Sequence, residues 1–239
     1  MPMAAEAGRP PDGSARLEAE NARLRERLAA TQHRVRNTLA VIRSLARRSA
    51  ETSETVEAYA THLDGRIGAF ARIQGALLRD PGEGLGLGSL VADSLLSVLA
   101  REGRRARIEG PEVALKARAA ETLGLALHEL ATNAVKFGAL GWPRGRIAVT
   151  WEVVRYRDTQ GGEPRLVLDW VETGAPAPVA CARQGFGMQL LERTLAYEFG
   201  ARTTVAFNPE GLACRIDLPF ETVCLPEDRA PPEDAAGRD

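Results

Sequence analysis

Residues 121–138 have the clearest hydrophobic pattern in the chain, with apolar positions recurring at steps of three and four. This period predicts an α-helix with one face in a core. The same steps place Glu129, Asn133 and Lys136 together on another face. A carboxylate, an amide oxygen and an ammonium group suit a magnesium–phosphate group, although a solvated polar face would have the same pattern. The residues expected to be buried are Leu123, Leu127, Leu130, Ala131, Ala134 and Phe137.

A longer helical pattern runs from a capping Ser14 to about Ser49, without Gly or Pro. Its apolar residues follow a heptad, with Asn21 at an a position of the sort that fixes register in dimeric coiled coils. The same register places His33 at position f, farthest from the seam. His33 is therefore expected to be exposed, which by itself is ordinary for a surface histidine. The apolar seam residues are Leu24, Leu28, Val35, Ile42 and Leu45.

A second helix is expected from about Glu54 to Arg79, with Ser53 as its cap. Two helices joined by a few residues form an αα-hairpin, and these two have more apolar surface than each can cover for the other. A second copy of the chain would complete a four-helix bundle. The alternative is a monomer in which the next domain folds back and covers the apolar stripe of the hairpin. The stripe of the second helix is Val56, Tyr59, Leu63, Ile67, Phe70, Ile73 and Leu77.

The remaining segments predict a mixed sheet with helices on one face, an α/β sandwich. The run DPGEGLGLGS at 80–89 contains several helix breakers and indicates an interdomain linker over 81–89. After it, three helices each precede a pair of strands, and the turn GGEP joins one pair as a hairpin. The helices are expected at 90–100, 121–138 and 188–200, and the strands at 105–110, 113–116, 146–154, 165–172, 202–208 and 212–220.

Composition narrows the class of protein. The chain has 239 residues, a formal net charge of −1 and 26% charged residues, so no strong field attracts nucleic acid or an anionic membrane. The three cysteines form no CxxC pair, which argues against a disulfide framework or a zinc site. Neither a membrane-spanning run nor a signal peptide is visible, so a soluble cytoplasmic protein is expected. Residues 1–13 and 221–239 are expected to be disordered.

Three separated stretches resemble the phosphoacceptor box, N box and glycine boxes of sensor histidine kinases. They are HRVRNTLAVIRSLARR at 33–48, HELATNAVKFGAL at 128–140, and DWVETGAP with RQGFGMQLLER within 169–193. The chain is most similar to the HWE family, whose name comes from an N-box His and a Trp-x-Glu motif, here His128, Trp170 and Glu172. The resemblance implies an α+β fold. A HisKA_2-like helical hairpin over 14–80 would precede an ATP-binding domain of the GHKL (Bergerat) type over 90–220.

The resemblance also implies roles for single residues. His33 matches the phosphorylated histidine, Glu129 the general base, and Asn133 the Mg²⁺ ligand. Two groups of cofactor contacts complete the expected ATP site. The phosphates would be approached by Lys136, Gly185, Gly187 and Arg183, and the adenine by Glu172 with Gly174. The first glycine box departs from the usual Asp-x-Gly-x-Gly pattern, because it reads ETGAP.

The implied activity is ATP-dependent autophosphorylation, with ATP and Mg²⁺, followed by phosphoryl transfer to an aspartate of a response regulator receiver domain. A homodimer through the hairpin and input from an upstream sensor partner are also expected, with neither nucleic acid nor a membrane span involved. An alternative is a histidine phosphotransfer adaptor of the same architecture without autokinase activity. A third reading, a coiled-coil scaffold on an inert α/β domain, explains the heptads but not the motifs.

Overall fold

The computed structural model describes residues 13–80, 82–99, 105–155, 162–175 and 185–226. The chain divides into two units, Met1–Arg48 and Ser49–Asp239. Among the described helices, none combines the length and the apolar character needed to cross a membrane. The expected disordered ends at 1–12 and 227–239 lie outside the described residues.

Helix α1 (Gly13–Thr52) includes the whole predicted heptad segment. Within the first unit three of its seam residues are largely exposed, since Leu24 is 55% exposed, Leu28 59% and Val35 52%, whereas Leu45 is only 2% exposed. Helix α2 (Val56–Arg79) begins two residues later than predicted. The reason is its cap, because the Thr55 hydroxyl, rather than that of Ser53, accepts a hydrogen bond from the Ala58 amide.

The second unit contains a five-stranded mixed sheet, as the sequence predicted. Its spatial order is β2 (Ala106–Glu109), β4 (Arg146–Arg155), β5 (Pro164–Thr173), β7 (Gly211–Pro219) and β6 (Arg202–Asn208). Strands β2 and β4 are parallel, and the other neighbours are antiparallel. The predicted hairpin is β4–β5, in which Val149 lies opposite Trp170.

Three helical segments accompany the sheet: α3 (Leu87–Leu99), α4 (Ala117–Lys136) and the stretch from α5 (Phe186–Gln189) through a π turn to α6 (Leu195–Phe199). Helix α4 buries its apolar face almost completely, as its period predicted. Phe137 is the exception at 70% exposed, because it caps the end of α4 instead of continuing the helix. Fully buried core side chains include Leu123, Leu127, Ile147, Leu168, Trp170, Leu195 and Ile216.

Two segments differ from the sequence expectation. The strand expected at 113–116 does not join the main sheet; β3 (Ala114–Leu115) pairs with β1 (Leu85–Gly86), which lies within the expected linker, and α3 begins at Leu87, before the expected end of that linker. Beyond residue 220, where a disordered tail was expected, α7 (Phe220–Val223) is followed by a bridge between Cys224 and Leu115. Val223 and Cys224 are buried, so apolar burial extends the ordered chain to this point.

Within the second unit, α2 packs on α4. Phe70 is only 3% exposed and Ile73 only 6%. A Cβ atom added at Gly124 of α4 would lie 2.5 Å from the Ile73 side chain, which shows how closely the two helices approach. This part of the α2 stripe is therefore covered by its own chain, as in the folded-back alternative. It does not require a second copy, because α4 already removes it from water.

Candidate functional site

A cavity of about 650 Å³ opens beside the C-terminal half of α4. Its lining comes from α2, α4, the end of β5, the start of α5, and strands β6 and β7. A volume of this size is typical of small-molecule sites. The structure thus brings together three sequence motifs that are far apart along the chain. The predicted site residues in the lining are Glu129, Asn133, Lys136, Glu172, Gly185 and Gly187.

Glycine is required where α5 approaches α4. A Cβ atom at Gly187 would lie 2.9 Å from the Glu129 Cβ and 3.6 Å from the Asn133 amide nitrogen. Any other residue would push the glycine box away from the N box. The first residues of α5 are therefore held against the polar face of α4, where Glu129 and Asn133 lie one helical turn apart.

Glu129 is buried, at 8% exposed, although the sequence placed it on a presented polar face. The cause is Arg66 of α2, whose Nε and Nη2 donate to the two Glu129 carboxylate oxygens at 2.8 and 3.0 Å. Arg66 is itself buried, donates from Nη1 to the Ser49 hydroxyl at 2.7 Å, and lies over the Phe186 ring at 4.1 Å. One arginine therefore connects α2 to both the N box and the start of α5.

Lys136 also meets a side chain of α2. Its Nζ donates to His62 Nε2 at 2.5 Å, and the His62 Nδ1 lies 3.2 Å from the Ser53 hydroxyl. Lysine has no acceptor, so His62 Nε2 accepts, which leaves the Nδ1 proton to be donated to Ser53. Burial and the neighbouring Lys136 and Arg66 charges lower the pKa of His62, and burial likewise lowers the pKa of Lys136. The shift at His62 favours a neutral imidazole beside the lysine.

Glu172 of the Trp-x-Glu motif lines the cavity but is only 3% exposed. One carboxylate oxygen accepts from the Ala139 amide at 2.8 Å, and the other from Trp170 Nε1 at 3.1 Å. Burial raises the pKa of Glu172. The motif thus fixes the turn after α4, and contact of Glu172 with an adenine stays a prediction.

Gly174 follows Glu172 with a φ of +79°, and a Cβ there would lie 2.5 Å from the Arg144 carbonyl oxygen. Both the left-handed backbone and this close approach require glycine at the position. Gly174 is not among the residues that line the cavity wall. Its part in binding adenine therefore also stays a prediction.

The structure does not bring every predicted residue to this cavity. His33 lies on α1 in the first unit, where it is exposed as its heptad position predicted. Arg183 lies outside the described residues.

The residues that sequence reasoning missed are Arg66 and His62, which the motifs do not include. Arg66 had a visible signal, because it lies three residues after Leu63 and four before Phe70, on the apolar stripe of α2. A charged residue on a buried stripe requires a partner. The pattern could not identify that partner as Glu129.

The donors present fit a nucleotide with Mg²⁺. Asn133 offers an amide oxygen, Lys136 a cation, and the close approach at Gly187 leaves backbone where a side chain would fill the space. In the described ranges, no three His, Cys, Asp or Glu side chains group as a metal cluster. A bound Mg²⁺ would therefore take most of its oxygen ligands from phosphates and water, and Asn133 would hold it on the protein side.

Comparison with known proteins gives similarities over most of the chain. Residues 31–112 match the model of the HWE histidine kinase family. The blue-light-activated histidine kinase of Brucella anthropi is 31% identical over 195 residues, which cover 82% of this chain and 39% of that protein. The protein of the same name from Brucella ovis is 30% identical over 194 residues, with 81% and 39% covered. This chain thus spans about two fifths of the length of these relatives.

Among solved structures, the fold is similar to that of the blue-light activated histidine kinase EL346 of Erythrobacter litoralis. The TM-score is 0.54 at 22% sequence identity, covering 82% of this chain and 63% of that one. At this identity the similarity shows the fold alone. It agrees with a helical region followed by a mixed α/β domain.

Proposed function

This chain belongs to the HWE family of histidine kinases, and on that premise we propose that it transfers the γ-phosphoryl group of ATP to His33. The observation that carries the proposal is the cavity of about 650 Å³, which is lined by residues of the N box and of both glycine boxes. A phosphotransfer adaptor that binds no nucleotide would have no use for this cavity. The proposal therefore favours an autokinase over a pure relay.

In the proposed reaction a ring nitrogen of His33 attacks the γ-phosphorus. The new P–N bond forms as the P–O bond to ADP breaks, and ADP leaves with the electron pair. Positive charge grows on the imidazole, and Glu129 accepts the N–H proton on the other ring nitrogen as a general base, a role worth about 10²–10⁴-fold in rate. His33 is exposed, so its ring is accessible for the attack.

The other residues bind and orient the substrate. When bound, Mg²⁺ would neutralise charge on the phosphates. Asn133 would hold it through its amide oxygen, and Lys136 would approach the phosphates after leaving His62. Gly185 and Gly187 offer backbone N–H groups at the start of α5, and Arg183 would add a cation. The buried Glu172 and the left-handed Gly174 would border the adenine.

Incubation of the full chain with γ-labelled ATP and Mg²⁺ tests the activity. The protein should take up label that is lost in acid and kept in alkali, as expected for a phosphohistidine. His33→Gln should bind nucleotide as the parent does but take up no label. Equal acid-labile label in His33→Gln would assign the phosphoacceptor to His62 or His128.

A binding measurement tests the metal ligand separately. Asn133→Ala removes the amide oxygen, so Mg²⁺-dependent binding of ATP should weaken by about tenfold or more. Val135→Ala is the control on the same helix, because Val135 is exposed and does not line the cavity, and it should keep the parent affinity. If Asn133→Ala binds ATP in Mg²⁺ as tightly as the parent does, Asn133 is not the ligand.

The phosphoryl group would then pass to an aspartate of a response regulator receiver domain, because the P–N bond is labile. The exposed seam residues Leu24, Leu28 and Val35 of α1 support a homodimer, and an upstream sensor partner would supply the input. Mixing the labelled chain with a purified receiver domain tests the transfer, since label should leave His33 and appear on the receiver. A stable label on the chain in the presence of several receiver domains would contradict it.

A further inference from the structure

Two side chains of α2 bind two N-box residues. Arg66 donates to both oxygens of Glu129, and His62 accepts from Lys136. These are the two N-box residues expected to act on the acceptor imidazole and on the phosphates. In this conformation the polar groups of both are directed to α2.

The Arg66–Glu129 pair is buried at both ends, with side-chain exposures of 6% and 10%. Ser49 and Phe186 also hold the pair in place, because both contact the guanidinium of Arg66. A bidentate arginine–carboxylate pair is among the strongest polar contacts in proteins. An imidazole N–H therefore reaches Glu129 only after Arg66 has moved.

The rest of the α2–α4 contact keeps this pair covered. Along α2, a Cβ at Gly65 would lie 3.4 Å from His128 Nε2, and Gln74 donates to Glu121 at 2.6 Å. At 3.4 Å a Cβ alone would make an ordinary van der Waals contact, so a long side chain at Gly65, rather than a methyl group, would displace α2 from His128. By contrast, a Cβ at Gly75 of the same helix would meet nothing within 4 Å.

We infer that the Arg66–Glu129 pair is an autoinhibitory latch, which holds α2 over the N box and keeps Glu129 from the acceptor histidine until α2 is released. The inference rests on the proposed function, since it assigns Glu129 to the phosphoryl transfer. The latch also implies a route for input, because any signal that moves α2 releases Glu129 and Lys136 together.

Accessibility of the Glu129 carboxylate tests the latch without any activity. The full chain is treated with a water-soluble carbodiimide and glycinamide, and modification of each carboxylate is read by mass spectrometry. The exposed Glu152 is the internal reference.

Two variants should open the contact between α2 and the N box. Arg66→Met removes the donors but keeps an apolar stem against Phe186, and Gly65→Leu pushes α2 away from His128 without changing either latch residue. Arg72→Met and Gly75→Leu are the matched controls, because both positions are exposed on the same helix.

With a latch, Arg66→Met and Gly65→Leu both modify Glu129 about tenfold faster than the parent, and the two controls do not. The same two variants then autophosphorylate faster, by a similar factor. Circular dichroism confirms that each variant is folded, and Gly65→Leu carries the test if Arg66→Met does not fold.

Three outcomes are distinguishable. Parent-like modification of Glu129 in folded Arg66→Met and Gly65→Leu overturns the latch. Faster modification with slower phosphorylation in both variants also overturns it, and makes Arg66 a positioning residue. If the parent takes up no label at all, the proposed function fails, while faster modification of Glu129 still shows that Arg66 holds α2 closed.

Discussion

Helices α1 and α2 have apolar stripes that look equivalent in the sequence, but their surroundings in the structure are different. On α1, Leu28 is 59% exposed and Val35 is 52% exposed. On α2, Phe70 is 3% exposed and Ile73 is 6% exposed, because α4 covers them. The part of the α2 stripe around Phe70 and Ile73 is covered within one chain, whereas Leu28 and Val35 of α1 are not covered.

This difference indicates different functions for α1 and α2, although both helices would serve the same purpose in a four-helix bundle. An exposed apolar stripe is available to bind a partner, whereas a buried apolar stripe holds two elements of one chain together. The proposed self-association would therefore use α1, and the proposed control of the N box would use α2. The three experiments below test that division, from the largest expected effect to the smallest.

The largest effect should follow from placing charge on the α1 seam. If two copies pair through α1, Leu24→Glu with Leu28→Glu places four carboxylates in the interface and removes four leucines, each worth about 1.5–3 kcal/mol when buried. Dimer dissociation should become at least about 10³-fold easier, as measured by light scattering on the full chain. Leu78→Glu is the control, since Leu78 is 53% exposed but lies on α2. A parent that is monomeric at tens of micromolar would exclude pairing through α1.

A smaller effect is expected from truncating the covered stripe. Phe70→Ala leaves a cavity between α2 and α4 and should lower the free energy of unfolding by about 3–5 kcal/mol. Leu78→Ala, at an exposed position of the same helix, should change it by less than about 0.5 kcal/mol. Urea unfolding of both variants measures the difference. Similar values for the two would mean that α2 is not packed on α4 in solution.

The smallest effect is the pH dependence of stability that arises at the contact between α2 and α4. His128 lies against Gly65, and burial lowers its pKa. The folded state therefore favours neutral His128, so its contribution to stability is complete above the unfolded pKa of about 6.5 and is lost as the pH falls through that value. His62 shifts in the same direction, so only a comparison of variants isolates His128.

His128→Gln removes this titration and should flatten the fall in stability between about pH 7.5 and about pH 5.5. Urea midpoints of parent and variant at both pH values give the measurement. An equal fall in both proteins would show that His128 stays accessible to protons, and hence that α2 does not cover it.

Much of the fold follows from local pattern. The period of α4, the β4–β5 hairpin and the mixed sheet were all expected, because alternation and helical spacing record which face of an element is buried. The N-box and glycine-box residues were predicted from a resemblance carried by motifs that are local to α4 and to the start of α5, and their roles stay predictions. The structure then placed most of them around one cavity.

What the sequence alone determined is which residues of each element are apolar, and which polar residues share a face. It did not determine what covers each face, because a stripe on α2 is equally satisfied by a second copy or by α4. Only the tertiary structure decided that, and with it the burial of Glu129. Arg66 and Glu129 are separated by 63 residues, and no period along the chain relates them. Their pairing exists because α2 packs against α4 and the buried charge of each residue needs the other.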